Sequence, residues 1–240
     1  MNEQLPESNT GPDSEPDAPH EVVSGTGRRP LASRSTLWAR RLCQLLATTP
    51  VTPNQISLFS VVFAILALLS MVVAVQVDTA LSGSIWLMAA ALACQMRLLC
   101  NLMDGMVAIE AGKQSRDGAV WNELPDRAAD VIILAGLGFA AGVSWLGWAV
   151  AALAVSTAYV RELGKGIDGV VDFSGPMAKP HRMALVTGAL LTAAFFNLVV
   201  HGTPMLVPQV LEAALWLLCA GCLITLYRRS RHLLLRLRQQ

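Results

Sequence analysis

From Thr52 to Tyr227 the chain is a succession of apolar runs, and that succession restricts the fold more than any other feature. The runs are "TPNQISLFSVVFAILALLSMVVAVQV", "SIWLMAAALACQMRLLCNLMDGMVAIE" (more polar from Gln95 onward), "GAVWNELPDRAADVIILAGLGFAAGV", "WLGWAVAALAVSTAYV", "MALVTGALLTAAFFNLVV" and "VLEAALWLLCAGCLITLY". A helix needs about 20 apolar residues to cross a bilayer. Inside lipid every backbone N–H and C=O must find a partner within the segment, which leaves helices as the economical solution. Composition agrees, with 54% hydrophobic and only 15% charged residues, where soluble domains average about 25% charged. The expectation is an all-α polytopic membrane protein of six transmembrane helices.

Local signals refine this outline. Thr52-Pro53 is a helix start, Thr as N-cap and Pro in the first turn. Upstream, "LASRSTLWARRLCQLLAT" places Leu37, Leu42, Leu45 and Leu46 on one helical face, with Arg34, Arg40 and Arg41 elsewhere: a helix lying in the membrane interface, or else the cytosolic start of the first span. Residues 1–32, rich in Pro, Ser, Glu, Asp and Gly, read as a disordered cytosolic tail without the basic start and apolar core of a signal peptide. Residues 33–227 form the interfacial helix and the six-span domain, and 228–240 a basic cytosolic tail. Basic residues mark the cytosolic side. Lys113, Arg116, Arg161, Lys165, Lys179 and Arg182 fall in alternate loops, and the turns near Asp78, Ser144 and His201 carry no Lys or Arg. Both termini are therefore expected in the cytosol. The five cysteines show neither metal-ligand nor disulfide spacing. No nucleic-acid-binding element is evident.

The densest acidic stretch, "NLMDGMVAIEAGKQSRDGAVWNELPDRAAD" from Asn101 to Asp130, interrupts this apolar background. Acids at membrane depth are functional candidates by default. Asn101, Asp104 and Ala108 share one face of the second span; Asn122, Asp126 and Asp130 share one face of the third. Spans joined by a short loop are expected to be antiparallel neighbours, so Asn101, Asp104, Asn122 and Asp126 would converge as oxygen ligands for a hard divalent cation. A hydrogen bond between helices is the alternative for either Asn. Gly105 and Gly118 would let a phosphate-bearing group approach the backbone, or simply let helices pack. Arg161, Lys179 and Arg182 could face an acceptor or lipid phosphate, or merely obey the positive-inside bias.

These residues carry a resemblance. Asp104-Gly105-x2-Ala108 followed by Gly118-x3-Asn122-x3-Asp126 resembles the signature of the CDP-alcohol phosphotransferases, D-x2-D-G-x2-A-R-x8-G-x3-D-x3-D. "TPNQIS", Arg161-Glu162 and "GPMAKPHRM" resemble other parts of that family. Three positions depart: Asn101 and Asn122 stand in place of Asp, and Ile109 in place of Arg. The resemblance implies a membrane enzyme of phospholipid synthesis that moves a phosphatidyl or related group from a CDP-linked donor such as CDP-diacylglycerol to a small alcohol or polyol phosphate, releasing CMP. It implies Mg²⁺ or Mn²⁺ held by Asn101, Asp104, Asn122 and Asp126, polarising the pyrophosphate, and Asp126 as general base. It further implies Gly105, Ala108 and Gly118 at the donor nucleotide, a homodimer, and a site on the cytosolic face of a bacterial inner membrane. Glu123 and Asp130 would support the ligands from behind, or Asp130 would simply pair with Arg127 or Arg97. A member that binds nucleotide-lipid without turnover, or a divalent cation transporter, are the competing readings.

Overall fold

The computed structural model describes residues 36–110, 112, 113, 115–200 and 206–239. The expected tail before residue 33 and the turn at His201 lie outside the described residues. Among the described residues the protein is entirely helical: α1 (Leu37–Ala47), α2 (Pro53–Ala74), α3 (Ala80–Glu110), α4 (Gly118–Ala140), α5 (Ser144–Asp168), α6 (Lys179–Val199) and α7 (Leu206–Leu237). Four of them, α2, α3, α6 and α7, are long and apolar enough to cross a membrane. α4 falls short because Glu123, Asp126, Arg127 and Asp130 lie within it, and α5 because Trp, Ser, Thr and Tyr dilute its apolar run.

Six helices close a ring in the order α2, α3, α6, α7, α5, α4. The sequence expectation that the second and third spans are direct neighbours is corrected here: α3 and α4 touch only slightly, and α2 packs extensively on both. Small buried side chains on α2, among them Ser57, Ser60, Ala64, Ala67 and Ser70, allow that double contact. Thr52 caps α2 as anticipated, with Gln55 answering in a reciprocal capping box. Outward, α2 leaves Leu58, Phe59, Val62, Ile65, Leu66 and Leu69 each at least 43% exposed, an apolar surface suited to lipid.

α1 departs from expectation in its facing. Ala39 and Cys43 are fully buried against Met103, Met106 and Val107 of α3, with Leu42 and Leu46 half-buried beside them. Leu37 and Leu45 point away, 74% and 66% exposed. The four leucines thus serve two surfaces, because they spread over half the helix circumference.

At the end of the bundle remote from Asp126, α4 and α5 cross at Gly138 and Gly147. A Cβ on Gly138 would lie 2.6 Å from the Gly147 Cα. Only glycine permits this approach. At the other end, α5 continues past Gly164 to Asp168, so the expected loop shortens to residues 169–178. That loop is fastened to α7. Thr225 Oγ1 accepts from the Met177 amide at 2.9 Å, Arg229 Nε donates to the Ser174 carbonyl at 3.0 Å, and Arg236 Nε donates to Asp168 at 2.7 Å. Gly175, at φ 105°, lies where a Cβ would fall 2.6 Å from the Thr225 side chain. The basic tail is therefore a helical extension of α7 that docks on α5 and the loop.

Candidate functional site

Asp104 and Asp126 are both buried at the end of the ring where α6 begins. Asp104 Oδ2 accepts a 2.6 Å hydrogen bond from the Ser57 hydroxyl of α2, and Oδ1 accepts from the Gly105 amide. Asp126 Oδ2 receives the Lys179 ammonium from the first position of α6. Arg97 and Arg127 stand 3.7 Å from the same carboxylate. Asp104 lies within electrostatic range of both Lys179 and Asp126. Asp104 is thus within electrostatic reach of the Lys179–Asp126 pair and is tied to α2 through Ser57.

One turn further along α4, the fully buried Asp130 holds two guanidinium groups. Arg97 Nη2 of α3 lies 2.7 Å from Oδ1, and Arg182 Nη2 of α6 lies 2.6 Å from Oδ2. Arg97 also donates to the Asp126 carbonyl at 3.2 Å. Arg182 donates further to the Met177 carbonyl at 3.0 Å and the Thr157 hydroxyl at 3.3 Å. Arg229 of α7 reaches the Thr157 carbonyl at 2.7 Å. Three helices are locked together through Asp130, and the lock fixes Asp126 above it.

The remaining sequence candidates divide. Asn101 is half-buried near Asp104, while Asn122 is exposed, one turn outside Asp126. Pro125 has no N–H to offer the Trp121 carbonyl, so the opening turns of α4 are tied less firmly to the rest of the helix. Glu123 is held at the rim by Arg161 at 2.7 Å and Arg127 at 3.4 Å. Arg161 divides itself between Glu123 and Glu162, the latter at 2.8 Å. Of the three cations expected to face a phosphate, Arg182 is 2% exposed and committed to Asp130; Lys179 stands at the carboxylates. Gly118 opens α4, where a Cβ would meet only the Ser115 hydroxyl at 3.3 Å. Ala108 is half-buried on the Asp104 face, and Ile109 is 47% exposed. Sequence reasoning missed Ser57, which looked incidental inside an apolar run, and Thr157. It named Arg97 only as a possible partner of Asp130, although Arg97, Asn101 and Asp104 fall at i, i+4 and i+7 on one face.

No protein-family model matches the chain, and no curated sequence matches it. Solved structures do. The phosphatidylinositol phosphate synthase of Mycobacterium tuberculosis with CDP-DAG bound aligns with a TM-score of 0.64 at 20% identity, covering 81% of this chain and 92% of that one. The two share a fold. The same enzyme in complex with manganese and citrate aligns with the same score and identity over 81% of this chain and 88% of that one.

Whether this chain's residues suit such a metal is decided by their donors. Among the described residues no group of three or more His, Cys, Asp or Glu is placed to hold an ion. Both oxygens of Asp104 already accept from neutral donors, Asp126 is paired with an ammonium, and Asn122 is exposed. The buried polar atoms of the site that lack a partner are Arg97 Nε and Nη1, Asn101 Nδ2, Arg127 Nε and Arg182 Nε. All are N–H donors. A divalent ion wants unengaged oxygen lone pairs, so this donor set fits an anion better than a cation.

Proposed function

We propose that the protein is an integral membrane transferase that moves a phosphatidyl or related group from a CDP-linked lipid, CDP-diacylglycerol foremost, to an alcohol with release of CMP. Six spans, both termini in the cytosol, a cytosol-facing site and a homodimer complete the reading. One observation carries it: the two signature carboxylates, Asp104 and Asp126, share a single cation-rich volume in a fold held in common with a CDP-DAG-bound synthase.

In this reading the acceptor hydroxyl approaches Asp126, which takes its proton. The freed oxygen bonds to the phosphorus carrying the diacylglycerol. The bond from that phosphorus to the bridging oxygen of the pyrophosphate breaks, and the electron pair leaves on CMP. Lys179 and Arg97 place positive charge where that negative charge develops. Asp104, fixed by Ser57, keeps the volume polar and orients the donor. The resemblance also implies Mg²⁺ or Mn²⁺ here; the engagement of Asp126 by Lys179 argues for another source of positive charge.

The test is CMP release from CDP-diacylglycerol by the detergent-purified protein across glycerol 3-phosphate, inositol phosphate, serine and other alcohols. Asp126→Asn keeps the side chain's size and removes its basicity, so turnover should fall by about 10²–10⁴-fold with little loss of donor binding. No CMP with any acceptor, from folded protein, overturns the transferase reading. CDP-diacylglycerol bound without turnover would assign the second reading, a nucleotide-lipid binding protein, which the pairing of Lys179 with the would-be base favours.

A further inference from the structure

We propose that the Lys179 ammonium takes the place of a divalent ion in this protein, so that the pyrophosphate of a CDP-lipid is held by side chains alone; this rests on the reading of the site as a CDP-lipid site.

Charge balance leads to it. Four cations, Arg97, Arg127, Lys179 and Arg182, face four carboxylates: Asp104, Asp126, Asp130 and Glu123, which Arg127 also holds. Arg161 at the rim is matched by Glu162. The cluster is therefore balanced before any ligand enters. Asp at 101 and 122 would have left two negative charges in excess, which one divalent ion neutralises. The two Asn thus remove just the negative charge that one such ion would neutralise. Adding an ion to the site as it stands would leave two positive charges uncompensated.

Hydrogen bonding points the same way. Among the described residues, the partnerless buried atoms at the site are donors: two nitrogens of Arg97, the amide nitrogen of Asn101 and the Nε of Arg127 and of Arg182. Arg97 and Asn101 lie one turn apart on α3, each with unspent N–H capacity. An unsatisfied buried donor is costly, and pyrophosphate oxygens are the acceptors that would relieve it. Lys179 occupies the first turn of α6, where the helix N-terminus adds to the attraction for an anion. It stands against Asp126 and within electrostatic range of Asp104. A lysine is a compact point charge on a flexible stem, so it can swing from Asp126 to a phosphate oxygen while remaining between the helices.

The experiment uses the full chain in detergent micelles with CDP-diacylglycerol as probe. Affinity is measured in excess EDTA and in Mg²⁺, and bound Mn²⁺ is followed by its electron paramagnetic resonance spectrum with the lipid present. Affinity unchanged by EDTA, with no protein-bound Mn²⁺ signal, is the expected result. Lys179→Gln should weaken binding by about thirtyfold or more, the scale for removing one partner of a desolvated charged contact. The double variant Lys179→Gln, Asn101→Asp, which leaves the cluster two negative charges in excess, should gain a bound Mn²⁺ signal and bind the lipid only when metal is present. Wild-type binding that needs metal, or a Mn²⁺ signal from the wild type, overturns the inference and leaves the CDP-lipid site standing. Folded protein that binds CDP-diacylglycerol neither with nor without metal overturns the CDP-lipid reading itself.

Discussion

The two ends of α4 hold the bundle by opposite means. At one end Asp126 and Asp130 bind guanidinium and ammonium groups from α3 and α6; at the other, Gly138 meets Gly147 of α5 with no polar atom between side chains. In lipid there is little hydrophobic drive to bring helices together, so close packing and polar contacts must supply the association. The glycine end depends on shape, and tolerates any change that adds no volume. The charged end depends on completeness, because each buried ion is stable only while its partners remain.

Removing one member of the charged end should have the largest effect. Asp130→Ala leaves Arg182 buried without a counter-charge and Arg97 with only the Asp126 carboxylate at 3.7 Å, and should cost about 3–5 kcal/mol in thermal or denaturant unfolding. A stability equal to wild type would show that water or lipid phosphate reaches those guanidinium groups. Next comes the glycine end: Gly138→Ala should cost about 1–3 kcal/mol, since the new methyl meets backbone that cannot rotate away. Gly147→Ala should behave alike, and the double change should be non-additive because both methyls contest one gap. Equal and additive small losses would mean that the crossing opens freely.

Asn122→Ala should change stability by no more than about 0.5 kcal/mol, as expected for an exposed site. It should also leave CDP-diacylglycerol affinity intact. A large loss of affinity would move the functional surface out onto the opening turns of α4. The smallest effect concerns the loop. Burial pushes the Asp172 carboxyl up, but hydrogen bonds from Ser174 and the His232 ring outweigh it and hold Asp172 below its ordinary range. A depressed carboxylate contributes stability above its unfolded value of about 3.9 and loses it as pH falls through the lower folded value. Hydrogen exchange in residues 169–178 should accelerate over that acidic window, and Asp172→Asn should remove the dependence.

Much of this was legible in the residues. Helix starts such as Thr52-Pro53, the apolar runs, and the convergence of Asp104 with Asp126 follow from local chemistry and helical period. The order of helices around the ring did not. Loop length suggested that α3 and α4 touch, whereas the small side chains of Ser57, Ser60 and Ala64 draw α2 between them. Serines inside an apolar run give no outward sign of this. Nor did helical period show that Asn122 would stay outside, since period fixes a face but not how far along the helix the neighbouring elements extend. The partnership of Lys179 with Asp126 joins residues 53 positions apart, and neither residue announces the other.

The fastening of residues 169–178 to α7 extends the set of residues on which the candidate site depends. Lys179 reaches the carboxylates because the segment before it is pinned by Thr225, Arg229 and Arg236. A chain ended at Tyr227 would keep nearly all of its apolar length, Asp104, Asp126 and the Thr225 contact, yet it would lose two of the three pins on the segment that leads into Lys179. The geometry of Lys179 at Asp126 is thus set in part from α7, although some hundred residues of sequence lie between Asp126 and Arg229.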